Sequence, residues 1–240
     1  ALRRDQGRLD EALALAARAA DLMADAGDPS GRATARVELG LLALHAAETG
    51  QALAAFGEAL AAGAARLPSF RVLQAVQGTA LALGLEGRTD EALAALADAR
   101  SLFRWPADSA EGLALDLLEG RLALEDRLLA LARTRLSSAF HGFAALGHAR
   151  DAVLSAVHLT RALLAQRAPR RELRELAGEL RPLLGSPEMA KAARQALAAF
   201  VEDLAGTGPT NGLRLKELSE ILDRGDTIGT EPACSVYSSP

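Results

Sequence analysis

The residues best suited to do chemistry here are few and widely spaced. Four histidines are present: His45, His141, His148 and His158. A zinc site on a helix needs two ligands about four residues apart, completed by a carboxylate or thiolate. No histidine pair has that spacing, and single histidines at helix ends usually serve structure or surface. The one cysteine, Cys234, rules out an intrachain disulfide and a thiolate cluster, and it suits a reducing, cytoplasmic compartment. The phosphate loop G-x-x-x-x-G-K-[ST] and the nucleophile elbow G-x-S-x-G are both missing. Acidic pairs such as Asp10-Glu11 and Asp90-Glu91, together with Glu188, read as first-turn charges on helices rather than acid–base pairs. Arg121 and Arg161 stand out because they lie 40 residues apart. Two guanidiniums brought together could hold a carboxylate bidentately. The alternative is that both pair with nearby acids, Asp116, Glu119 or Glu125, on a solvated face. Neither a metal nor a cofactor is expected.

What could bring those arginines together is a repeat. Ala12, Ala52, Ala92 and Ala132 fall on one 40-residue beat; Ala19, Ala59, Ala99 and Ala139 keep it, as do Phe56, Leu96, Leu136 and Leu176. Gly40, Ala80 and Gly120 form another small-residue series, while Leu13, Leu53, Leu93, Leu173 and Leu213 are interrupted only by Arg133. A fixed period of this size marks stacked supersecondary units. Half the chain is apolar but only 3% is aromatic, so alanine and leucine build the core, which suits closely packed helices. The net charge of −4 argues against a nucleic-acid surface. No apolar run approaches the ~18 residues of a membrane span, and no signal peptide is visible.

The 3.6-residue period predicts helices over 8–26, 30–47, 51–66 after a break at Thr49-Gly50, 69–86, 90–104, 109–125, 128–145, 148–167, 169–184 and 187–205. Asp28-Pro29 supplies a cap and a first-turn proline. Thr89 or Asp90, an Asp108/Glu111 capping box, and Ser186-Pro187 are the other predicted starts. A loop over 206–212, a short helix over 213–224 and a disordered tail over 225–240 complete the reading. The repeat array thus covers 1–205, its first unit truncated, as in a fragment cut from a longer protein. Short turns make each unit an antiparallel helix hairpin. Glycine and alanine permit the closest helix crossings, with Phe56, Leu96 and Leu136 filling the core between units.

The sets Leu39-Gly40, Ala52, Phe56, Ala59 and Gly120, Ala132, Leu136, Ala139 resemble the tetratricopeptide (TPR) pattern. Ala80, Ala92, Leu96 and Ala99 follow it, with Gly87 at the turn. The likeness covers roughly 7–205 and weakens after about 165, where Thr160, Glu172 and Glu179 replace small residues. The beat is longer than the family's usual period of about 34 residues, as in long-helix variants found in bacterial regulatory proteins. The resemblance implies an all-α fold: an α-α superhelix (solenoid) of helix hairpins, with a concave groove lined by the first helix of each. Arg121 and Arg161 would face that groove, with Gln74, Gln77, His45 and Leu117 on the same surface and Leu41 and Leu81 at the arginine positions of earlier units. It implies a non-catalytic protein–protein interaction scaffold, the repeat region of a larger bacterial multidomain regulator, binding a peptide or protein partner. The alternative is a small-ligand-sensing domain of a signalling or transcription regulator. An unpaired first helix would also favour homodimers or end-to-end association.

Overall fold

A computed structural model describes residues 2–62, 67–187, 189–206 and 218. Among the described residues the secondary structure is all helical, in ten α-helices and one 3-10 segment. The chain divides between Arg104 and Trp105 into two compact units.

The first unit holds α1 (Leu2–Asp25), α2 (Pro29–His45), α3 (Thr49–Ala61), α4 (Ser69–Leu85) and α5 (Thr89–Phe103). Each helix packs on the next, and α2 also touches α4. Asp28 caps α2 by accepting a hydrogen bond from Gly31 N at 2.9 Å, with Pro29 in the first turn. Phe56 is fully buried between two glycines. A Cβ on Gly40 would lie 2.6 Å from its ring, and one on Gly78 2.2 Å from it. The small residue of the first helix thus receives the large residue sixteen positions later, on the second helix. Ala52 and Ala92, expected at the same crossing, are fully buried.

The second unit holds α6 (Ala110–Glu125), α7 (Leu129–Leu146), α8 (Ala149–Ala165), α9 (Arg170–Leu180), a 3-10 segment (Arg181–Gly185) and α10 (Lys191–Ala205). Its first hairpin repeats the arrangement: a Cβ on Gly120 would fall 2.6 Å from Leu136, which is fully buried. Here too helix follows helix, and α8 reaches back to α6.

The repeat shows most plainly in the turns. Ala47, Gly87, Arg127 and Arg167, spaced by 40, all take left-handed φ values, of 60°, 74°, 61° and 54°. The residue after each donates to a carbonyl five positions back: Glu48 to Ala43, Arg88 to Leu83, Leu128 to Ala123 and Ala168 to Leu163, at 2.8–2.9 Å. This bond closes the helix C-terminus by satisfying a carbonyl that has no partner within the helix. Three of the four positions tolerate a side chain there, although only glycine is free of the steric cost.

Several predicted boundaries move. Helix α1 begins at Leu2, which places Asp10-Glu11 in its interior. Helix α5 starts with Thr89 already helical and no side-chain cap, but Asp90 and Glu91 do occupy its first turn. Ser109, not Asp108, caps α6: it accepts from Gly112 N at 3.1 Å and its hydroxyl donates to the Pro106 carbonyl at 2.8 Å. The ninth helix stops at Leu180 because Pro182 has no N–H to continue it, and the chain tightens into the 3-10 segment. Helix α10 begins at Lys191, past the predicted Ser186-Pro187 start. The predicted helix over 213–224, the tail over 225–240, Cys234 and Glu188 lie outside the described residues, Leu218 excepted.

Candidate functional site

The six candidate binding residues divide between the units. His45, Gln74 and Gln77 belong to the first. His45 ends α2 exposed, its Nδ1 2.8 Å from the Leu41 carbonyl. Gln74 is half-buried and its Oε1 accepts from Arg71, which also pairs with Glu38. Gln77 is buried, at 2% exposure. In the second unit Leu117 is likewise buried, at 4%. Gln77 and Leu117 are therefore buried rather than lining an open face.

Arg161 lies against His158, and Arg121 acts on the same ring through its positive charge. This imidazole is one helical turn before Arg161 on α8 and is 5% exposed. Its Nδ1 lies 3.4 Å from Arg161 Nη1, at the long limit of a hydrogen bond in which the guanidinium donates. The other terminal nitrogen, Nη2, is 3.2 Å from Glu125 Oε1 at the end of α6. Burial holds the His158 pKa well below its ordinary value, and the positive fields of Arg121 and Arg161 push the same way. The ring is therefore neutral near pH 7 and serves as an acceptor, not a third cation. Arg161 keeps 45% of its side chain in solvent and Glu125 keeps 71%.

Both of the other two acids, Asp116 and Glu119, meet an arginine of the next helix. Arg135 of α7 reaches Asp116 at 3.2 Å and Glu119 at 3.0 Å on α6. Ser138 donates to the second Asp116 oxygen at 2.7 Å. Asp116 is buried, and these charge-assisted bonds offset the cost of keeping it so. This network ties α6 to α7. Nothing in the sequence singled it out, because its partners are 16–22 residues apart with no recognisable spacing.

A second constellation has the look of a nucleophile–base–acid chain. Ser137 Oγ is 3.3 Å from His141 Nδ1, and His141 Nε2 is 3.2 Å from Glu179 Oε2. However, Nδ1 is closer still, at 2.7 Å, to the Ser137 carbonyl, which can only accept. That nitrogen must carry the proton and has no lone pair for the serine hydroxyl. The His141–Glu179 contact is thus a surface link between α7 and α9, beside the Arg133–Glu172 pair at 2.8 Å.

No group of three potential metal ligands occurs among the described residues. No described helix is long and apolar enough to cross a membrane. The chain matches no protein-family model, no curated protein and no solved structure.

Proposed function

We propose that this chain is a non-catalytic interaction scaffold of TPR-like helix hairpins, the repeat region of a larger bacterial regulatory protein, and that it binds a peptide or protein partner on its first helices. The observation that carries this reading is the half-exposed Arg161 on the buried His158, a ring on which Arg121 also acts electrostatically. The buried imidazole is neutral and adds no charge beside the arginines, and the Arg161 side chain stays 45% in solvent. A partner carboxylate fits that geometry and charge. The polar network of Asp116, Glu119, Arg135 and Ser138 joins α6 to α7 and gives those charges a structural role. The left-handed turns, spaced by 40, support the repeat.

The test reverses the cluster. In a pull-down from host lysate with the tagged chain as bait, R121E/R161E should lose the partner captured by wild type. The far-UV helical signal of the variant should stay at the wild-type level. A partner retained at wild-type yield by the double variant would overturn the proposal.

A further inference from the structure

We infer that Glu125 is an internal occupant of this cluster, a carboxylate that holds Arg161 until the acidic side chain of a partner peptide displaces it. The inference rests on the reading of Arg121, His158 and Arg161 as the contact for an acidic partner. Four observations carry it. Glu125 is the last residue of α6, at the negative end of the helix dipole, where an acid is disfavoured and a cation favoured. The carboxylate stays there against that bias, on Arg161 at 3.2 Å. The positions of Glu125 in the neighbouring repeats are His45, Leu85 and Ala165, none of them acidic. Of the two repeats with arginine at the place of Leu41 and Leu81, the one of Arg121 ends on this acid and the one of Arg161 ends on Ala165.

His158 takes one terminal nitrogen of the guanidinium from below, and Glu125 takes the other from the solvent side. Removing Glu125 leaves the arginine oriented by the histidine, with a free nitrogen pointing to where a carboxylate had been. Both partners of the ion pair are largely hydrated, and pairs of that kind are weakly held. An incoming carboxylate that adds contacts of its own can replace Glu125, so the latch lowers affinity for weak anions without closing the site.

The experiment uses the full 240-residue chain, with arginine side-chain resonances followed by NMR at constant salt. The probe is N-acetylglutamate methylamide, which carries only a side-chain carboxylate; N-acetylalanine, which carries only a terminal one, is titrated in parallel. Glu125→Gln should tighten binding of the first probe about two- to five-fold. Glu175→Gln removes the same charge from α9 and should leave the affinity unchanged. Arg161→Ala should abolish binding. If Arg161→Ala abolishes binding but Glu125→Gln does not tighten it, the latch is wrong and the cluster stands. Equal tightening by Glu125→Gln and Glu175→Gln would reduce the effect to net charge and overturn the latch. Tightening for N-acetylalanine alone would overturn the assignment to an acidic side chain. Indifference of binding to Arg161→Ala would remove the cluster itself.

Discussion

The two compact units share a backbone plan and differ in what they bury. In the first, Gln77 is the one buried polar residue among the described residues, and the hairpin crossing is filled by Phe56 lodged between Gly40 and Gly78. In the second, Asp116, Ser155, His158 and Thr160 are all buried, and Leu136 takes the place of the aromatic ring. Leu41 and Leu81 of the first unit become Arg121 and Arg161 in the second. The turns do not register the change: their left-handed residues and closing hydrogen bonds recur on the same beat in both. A repeat therefore constrains the residues that set helix spacing and chain reversal. The positions between them are free to change from apolar to charged, and a binding site can be built there at little cost to the fold.

The largest effect that would sharpen this contrast is at the crossing. Phe56→Ala should cost about 3–5 kcal/mol, because its ring contacts both flanking glycines and neither can fill the void. Leu136→Ala should cost less, about 2–4 kcal/mol, since a smaller side chain faces the single Gly120. Urea unfolding followed by circular dichroism measures both. A Leu136→Ala loss equal to or above that of Phe56→Ala would erase the distinction between the two cores.

A smaller effect should separate the units by pH. His158 has a lower pKa folded than unfolded, so the unfolded chain binds the extra proton. Its neutral form is fully accommodated above the unfolded value of about 6.5, and stability falls as the pH drops below it. The contribution is at most about 1.4 kcal/mol per pH unit, down to the folded pKa. His158→Gln should flatten the slope of unfolding free energy between about pH 6.5 and 5 by up to that amount. An unchanged slope would mean that the ring accepts a proton in place despite its arginine neighbours.

The smallest effect tests what the units share. Gly87→Ala should destabilise by about 1 kcal/mol, because φ is 74° there. Arg127→Gly, at 61° on the same beat, should stabilise by up to about 1 kcal/mol. Shifts of the same sign in thermal melts of the two variants would show that the turns are not equivalent.

The spacing of small and large residues was enough to read helix hairpins, the 40-residue beat, the Asp28-Pro29 start and the burial of Phe56, Leu96 and Leu136. It also placed Arg121 and Arg161 at matching positions. These features are legible because they depend on local geometry: a helical period, a cap three residues from its donor, a glycine or alanine where two helices must touch. Other features depended on contacts that no spacing encodes. His158 became a neutral acceptor because helix packing buries it, with the charges of Arg121 and Arg161 pushing the same way. Arg135 met Asp116 and Glu119 because the α6–α7 turn folds those faces together. Gln77 and Leu117 went inside for the same reason, through the packing of neighbouring helices. Periodicity along one chain sets which side of a helix is apolar. Which charges then face one another depends on the rotation and offset of packed helices, and only the tertiary structure decided that.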